Sequence, residues 1–183
     1  MVGKRRGSHA KARLRKVDYF KSDAFGDDCY SSISPVGSGQ ATSIRFLDNI
    51  GDSNTGGRCV AFEGCNGGVA YRNQGTDNAS GTIGVLNTPV AQFNGAQNDN
   101  ITIRWNQSRG AGVKTTGDAA TRAPIFAYAQ NKPSHTITIT ENWIYDPPHY
   151  LKGIQLYGTD ATNNLTVTVA NNQMYNTTGA MTG

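Results

Sequence analysis

The chain has 183 residues, a length that suits one domain, and carries 17 Lys and Arg against 13 Asp and Glu. It contains 22 Gly, 17 Asn and 19 Thr, and 21 Ile and Val against six Leu. Since Thr and β-branched residues favour strands, and Gly and Asn favour turns, this composition argues against a helical bundle and a doubly wound α/β enzyme. No apolar run approaches the roughly 18 residues that a membrane-spanning helix needs.

Residues 1–16 form a basic segment on a mildly acidic body. They hold seven positive and no negative side chains, whereas the other 167 residues carry ten basic and 13 acidic groups. Such a segment is either an arm for nucleic acid or an anionic surface, or a flexible, solvated terminus. It lacks the apolar region of a secretory signal peptide. The candidate phosphate contacts are Lys4, Arg5, Arg6, Lys11, Arg13, Arg15 and Lys16.

Residues 17–57 are rich in Gly, Ser and Asp, and are interpreted as a segment that leads into the repeats described below. One strand is predicted there, at Ser43–Leu47. The chain has three cysteines, too few for a disulfide framework and without zinc-site spacing. Cys59 and Cys65 are interpreted as buried thiols, with a disulfide between them as the alternative.

From about residue 58 to residue 183 the chain consists of short alternating segments separated by Gly and Asn. Three segments align without gaps, starting at Ile101, Ile137 and Val167, and these starts are 36 and 30 residues apart. Each begins with a β-branched residue, Thr and a β-branched residue, and has Asn five positions after its first residue. The aligned asparagines are Asn106, Asn142 and Asn172.

Two weaker similarities extend the pattern. The segment Gly112–Gly117 resembles Gly153–Gly158, which predicts a second strand in each repeat. Val60–Cys65 is interpreted as an earlier copy of the first strand, with Cys65 in the place of Asn.

These repeats predict a solenoid, because a strand of three to five residues cannot bury its apolar face alone. Stacking such strands about 4.8 Å apart in successive coils buries a continuous apolar column, with the Thr of each segment pointing outward. The aligned Asn falls where the chain turns, because Asn tolerates left-handed backbone angles and stacked amides bond to one another. The alternative is an antiparallel β-sandwich of the jelly-roll type, which does not predict matched residues at these offsets.

The segment Asn100–Ile103 followed by Asn106, with its two later copies, resembles the repeats of the pectin-lyase-like superfamily of right-handed parallel β-helices. The resemblance covers roughly residues 58–183 and rests on a structural motif. It implies an all-β parallel β-helix. The functions it implies are those of polysaccharide lyases, glycoside hydrolases, epimerases, phage tailspikes and adhesins.

The segment Asn142–Lys152 is the richest cluster of chemically versatile side chains. Trp and Tyr rings stack on sugar rings, and Asp, His and Lys hydrogen-bond hydroxyl or carboxylate groups. The alternative is a loop braced by Pro147 and Pro148 whose rings pack on the coil below. The candidate glycan contacts in this segment are Trp143, Tyr145, Asp146, His149, Tyr150 and Lys152.

Three basic residues nearer the first copy, Arg104, Arg109 and Lys114, are weaker candidates for the same role. The alternative for them is that they are solvated, outward-facing charges.

No catalytic motif is identified, so the chain is assigned no reaction. Hydrolysis needs clustered carboxylates, whereas Asp99, Asp118, Asp146 and Asp160 stand singly in the sequence. Lyase chemistry of the superfamily would bring Ca²⁺, which needs several carboxylates. The histidines, including His135, are far apart and give no metal-ligand spacing. No cofactor is therefore expected unless the protein is lyase-like.

The leading hypothesis is a surface or virion β-helix that recognises, or recognises and cleaves, polysaccharide in an extracellular setting. One alternative is a structural or adhesive repeat protein that self-associates without an active site. The other is a capsid-type protein whose basic arm binds nucleic acid. Residues 178–183 stand where the next strand would begin, which predicts a fragment or a last coil covered by an adjoining subunit.

Overall fold

The computed structural model describes residues 15–18, 21–23, 30–33, 39–52, 58–76, 81–86, 97–110, 123–129, 132–145, 153–158 and 164–175. These residues form 19 strands arranged in three sheets, and the strand pairs within each sheet are parallel.

The chain passes the three sheets repeatedly, and each time it passes a sheet it contributes one strand or two short strands to it. Sheet A contains β1 (Arg15–Asp18), β4 (Ala41–Thr42), β5 (Ile44–Leu47), β8 (Cys65–Asn66), β9 (Val69–Tyr71), β12 (Asn98–Arg104), β15 (Ser134–Thr140) and β18 (Leu165–Ala170). Sheet B contains β2 (Lys21–Asp23), β6 (Ile50–Asp52), β10 (Gln74–Thr76), β13 (Gln107–Arg109), β16 (Trp143–Tyr145) and β19 (Gln173–Tyr175). Sheet C contains β3 (Tyr30–Ile33), β7 (Arg58–Glu63), β11 (Gly81–Leu86), β14 (Ile125–Ala129) and β17 (Ile154–Gly158).

The chain visits the sheets in the order A, B, C and then returns to A, so each circuit is one coil of a parallel β-helix. Coil 1 comprises β1–β3, coil 2 β4–β7, coil 3 β8–β11, coil 4 β12–β14, coil 5 β15–β17 and coil 6 β18–β19. The predicted fold class is confirmed, and the antiparallel sandwich is not favoured, since neighbouring strands run parallel and come from successive coils. Strands of all three sheets also lie before residue 58, where β5 confirms the strand predicted at Ser43–Leu47.

The three aligned segments stack as predicted. Ile101 pairs with Ile137, and Ile137 pairs with Val167. Ile101, Ile103, Ile137 and Ile139 are all fully buried inside the coil. Each buried Ile side chain contributes roughly 1.5–3 kcal/mol, so this column is a main source of the stability of sheet A.

A ladder of asparagines forms the corner between sheets A and B. The first four side-chain amides donate to Oδ1 of the Asn in the next coil at 2.8–2.9 Å. The last four also donate to a backbone carbonyl of the coil before them, as Asn106 donates to Ala70 at 3.0 Å. The five rungs are Asn49, Asn73, Asn106, Asn142 and Asn172. The last three are the predicted ones.

The left-handed backbone at this corner belongs to the residue before each Asn, which corrects the expectation that Asn itself adopts it. The φ angles are 57° at Asp48, 55° at Arg72, 57° at Trp105, 55° at Glu141 and 55° at Asn171. This division leaves the Asn side chain inside the corner, where it satisfies buried backbone groups.

Two expected repeat copies are wrong. Val60–Cys65 falls mostly in β7 of sheet C, whereas the coil 3 strand that stacks under β12 is β9, followed by Asn73. The strand that pairs with β17 is β14, through Ile125 and Ile154. The segment Gly112–Gly117 lies outside the described residues. Short alternating strands resemble one another whichever sheet they join, so local similarity did not identify the partner.

The central strands of sheet C, β7, β11 and β14, are buried on both sides. Val60, Ile83 and Ile125 point into the coil, while a second apolar cluster on the outer side contains Ala61, Leu86, Ala123, Phe126 and Tyr128. Cys59 and Cys65 are buried thiols that are not joined to each other, so the disulfide alternative is excluded. Burial raises the pKa of Cys65 to about 12.

Candidate functional site

The outer face of sheet B presents two straight columns of side chains. The sheet B strands β10, β13, β16 and β19 are three residues long; in β10, β13 and β16 the middle residue is buried, whereas the first and third residues are exposed or half-buried. Since the strands pair in register, outward residues of successive coils lie one above another. The first column is Gln74, Gln107, Trp143 and Gln173, and the second column is Thr76, Arg109, Tyr145 and Tyr175.

A groove of about 370 Å³ lies on this face, over coils 3 and 4. This volume falls in the range of roughly 300–1,000 Å³ that small-molecule sites occupy. Amide, hydroxyl and guanidinium groups converge with one aromatic ring, a combination of hydrogen-bond donors, acceptors and a stacking surface. The described residues that line it are Gln74, Gly75, Thr76, Gln107, Ser108, Arg109 and Tyr145.

The floor of the groove is packed from below by sheet C. A Cβ atom on Gly75 would lie 2.4 Å from Oγ1 of Thr82, so only glycine lets β10 approach β11 this closely. Oγ1 of Thr82 also lies 2.6 Å from Oγ of Ser108. The floor is therefore held by buried contacts, which favours a preformed site.

Tyr145 stands at the coil 5 end of the groove. Its ring stacks on that of Tyr175, with centroids 5.3 Å apart and planes 13° apart. The Tyr175 hydroxyl donates to Oε1 of Gln173, so the stack is braced within coil 6. The Tyr145 ring face that looks toward coil 4 lies against the groove.

A second polar surface, which we call the corner ridge, lies outside the asparagine ladder. Asp48 binds Arg72 through two 2.6 Å contacts, and Arg104 binds Glu141 at 2.6 Å. The Arg104 guanidinium lies 4.5 Å from the Trp105 ring centroid, and the Trp105 ring lies 5.1 Å from that of Tyr71. The residues of the corner ridge are Asp48, Tyr71, Arg72, Arg104, Trp105 and Glu141.

The ion pairs of the corner ridge shift the pKa values of their members. The hydrogen bond from Arg104, followed by that from Trp105 Nε1, lowers the pKa of Glu141. The hydrogen bond to Asp48 raises the pKa of Arg72, and the one to Glu141 raises that of Arg104. Each of these charged groups is paired with an oppositely charged side chain in a neighbouring coil, so the corner ridge links the coils.

A third polar cluster sits at the start of sheet A. The Asp99 carboxylate accepts from the side-chain amides of Gln40 at 2.5 Å and Gln97 at 2.7 Å. It also lies 3.4 Å from Nδ1 of His135, whose Nε2 lies 2.7 Å from Oδ1 of Asn164. Gln40 directly precedes β4 of coil 2, whereas Asp99, His135 and Asn164 come from coils 4, 5 and 6, so the cluster ties several coils together.

The predicted glycan contacts fall into three groups. Trp143, Tyr145 and Arg109 are on the outer face of sheet B, and Tyr145 and Arg109 line the groove. Arg104 belongs to the corner ridge instead. Asp146, His149, Tyr150, Lys152 and Lys114 lie outside the described residues.

Trp105 and Trp143 are on different faces, since Trp105 belongs to the corner ridge and Trp143 to the outer face of sheet B. Of the seven basic residues proposed for nucleic acid, Arg15 and Lys16 belong to β1. The other five, Lys4, Arg5, Arg6, Lys11 and Arg13, lie outside the described residues.

Several residues of these sites escaped the sequence analysis. The outward positions of sheet B come one and three residues after each ladder Asn, so the alignment itself marks Gln107, which was missed. Asp99 and His135 each stand two residues before the first Ile of their copies, and the same alignment would have paired them. Gln74 and Thr76 follow Asn73, whose strand lacks the Ile-Thr-Ile pattern.

The described residues do not fit a calcium site of the lyase type. Among them, no three His, Cys, Asp or Glu side chains lie close enough together to hold a metal ion. In the same part of the chain, no helix is long and apolar enough to cross a membrane.

Comparison of the chain with protein-family models, with curated proteins and with solved structures found no significant match.

Proposed function

We propose that this protein is a surface β-helix that recognises carbohydrate through the groove on sheet B. The observation that carries the proposal is the convergence of Gln74, Gln107, Arg109 and Tyr145 around a groove of about 370 Å³. The setting that fits is extracellular, on a cell surface or a virion, where glycans are the accessible polymers.

Each lining group has a role in binding a sugar. The side-chain amides of Gln74 and Gln107 donate to and accept from hydroxyl groups, and the Thr76 hydroxyl does both as well. The Arg109 guanidinium offers paired N–H donors to two adjacent oxygens. The face of Tyr145 contacts the C–H side of a sugar ring.

The proposal concerns recognition. Hydrolysis of a glycosidic bond uses two carboxyl groups roughly 5–10 Å apart. The described residues that line the groove contribute no carboxylate, so no catalytic role is assigned to any of them.

A glycan array followed by titration calorimetry tests the proposal. We expect binding to at least one glycan, and we expect Gln107→Ala and Arg109→Ala each to weaken it by about tenfold, as loss of a hydrogen bond to a charged or amide group does. The matched control is Thr168→Ala, an exposed strand position on sheet A, which should leave affinity unchanged. No binding across a broad panel, or an equal loss in the control, would overturn the proposal.

Self-association is a second candidate function, favoured by a separate observation. Five large apolar side chains in the last described strands of the three sheets are 40–45% exposed. They are Leu156, Tyr157, Val169, Met174 and Tyr175. This predicts an assembly through that end of the helix, as an adhesive or structural repeat protein would form.

Multi-angle light scattering of the whole chain distinguishes this second candidate. An oligomer that dissociates when Leu156 and Val169 are both changed to Ser would support it. A monomer at high protein concentration would rule it out without affecting the carbohydrate proposal.

A further inference from the structure

The groove is short along the helix axis. Its described lining takes three residues from β10, three from β13 and Tyr145 alone from β16. Coils lie about 4.8 Å apart, so two coils offer about 10 Å of groove. Trp143, Gln173 and Tyr175 continue the two columns but do not line the groove.

Tyr145 is held in place as a wall at one end of this groove. The Tyr175 ring covers the face of Tyr145 that looks away from the groove, and Gln173 holds Tyr175 by accepting from its hydroxyl. A ring backed by a second ring in the next coil does not swing aside without losing that stack. A ligand lying along the axis therefore meets the Tyr145 ring at the coil 5 end.

We propose that the groove binds the end of a glycan chain, with its terminal sugar ring against Tyr145. This inference rests on the proposed function and adds the ligand class, a chain terminus of one or two sugar units. The amides of Gln74 and Gln107 and the Arg109 guanidinium hold the hydroxyl groups of those units. The rest of the chain leaves the groove on the side away from Tyr145.

An internal stretch of a long chain would bind differently. It would run across all four coils of the outer face and contact Trp143, Gln173 and Tyr175 in addition to the groove. Its affinity would rise with chain length until the face is filled. A terminal unit held in two coils gives an affinity that stops rising at the disaccharide.

Chain length is therefore the decisive measurement, and it needs no variant. Titration calorimetry compares cellobiose with cellohexaose, xylobiose with xylohexaose, and digalacturonate with hexagalacturonate. For the series that binds, we expect the disaccharide and the hexasaccharide to agree within about twofold. We also expect Tyr145→Ala to weaken both by about fivefold, the loss expected for one aromatic contact.

The outcomes separate this inference from the function on which it rests. If the hexasaccharide binds at least about tenfold more tightly than the disaccharide, and Trp143→Ala removes that gain, carbohydrate recognition stands and end recognition is overturned. If no sugar of either length binds in any series and the glycan array also shows no binding, both are overturned. Thr168→Ala is the control for effects unrelated to the face.

Discussion

Single asparagine residues stabilise the corner between sheets A and B of this β-helix. In coils 3 to 5 one Asn satisfies a buried corner, because its side-chain amide bonds both to the next Asn and to the backbone of the coil before it. The residue in front of it takes the left-handed turn, even where that residue is as large as Trp105. A non-glycine residue of this size in that conformation is rare and is held by its surroundings.

Changing Asn106 to Ala should therefore be costly. Asn106 is 1% exposed, and its loss leaves the backbone carbonyl of Ala70 and the amides of Asn73 without their partner. We expect the free energy of unfolding to fall by about 3 kcal/mol, the cost of orphaned buried groups. Urea unfolding measures it, with exposed Thr168→Ala as the control. A similar, small change in both variants would show that the ladder is dispensable.

Strands of three residues are stable here because stacking, not length, supplies their contacts. The sheet B strands β10, β13 and β16 have one buried residue each, so side-chain links between coils add to the backbone ladder. The corner ridge provides such links on the outside, and the asparagine ladder provides them on the inside. These two systems flank the same turn and position sheet B.

Glu141→Gln tests the corner ridge through pH. The pKa of Glu141 is lowered below 4.5 in the folded chain, so its contribution is present above about pH 4.5 and is lost as pH falls through the folded pKa. We expect the wild type to be more stable than the variant at neutral pH, and the difference to vanish in acid. Urea titrations from neutral to acidic pH measure it. A difference that does not change with pH would contradict the role of the charge.

Gly84→Ala tests the packing of sheet C. An added Cβ would lie 2.5 Å from Cζ of Phe126 and 2.9 Å from Cδ of Arg58. We expect the free energy of unfolding to fall by about 1–3 kcal/mol, as overpacked cores do. Gly39→Ala is the matched control, because no heavy atom lies within 4 Å of its added Cβ. Thermal unfolding compares the midpoints of the two variants. Equal midpoints would show that the outer apolar cluster of sheet C accommodates the added methyl group.

The coils of the whole molecule differ in burial. Ile101 and Ile137 in coils 4 and 5 are fully buried, whereas Val169 and Met174 in coil 6 are 44% and 43% exposed. In a stacked repeat protein each coil is stabilised mainly by its neighbours. Local stability should therefore fall from the central coils toward coil 6.

Hydrogen exchange measured by mass spectrometry checks this gradient. We expect slow exchange in β12 and β15 and faster exchange in β18 and β19, because less buried strands open with less free energy. Uniform protection along the chain would contradict the gradient. It would indicate that the coils unfold as one unit.

Local pattern determined the repeating part of this protein. Segments that alternate β-branched residues with Thr stack on one another, and the Asn that follows each of them lies at the turn of the chain. These segments therefore predicted the parallel coils and the rungs at Asn106, Asn142 and Asn172. Three-dimensional stacking alone placed Asn49 and Asn73 in the ladder, paired β14 with β17, and brought Gln74, Arg109 and Tyr145 around one groove. Sequence patterns could not identify these partners because the segments between strands differ in length. The register between coils is therefore chosen by the contacts of buried side chains across coils, which no single segment encodes.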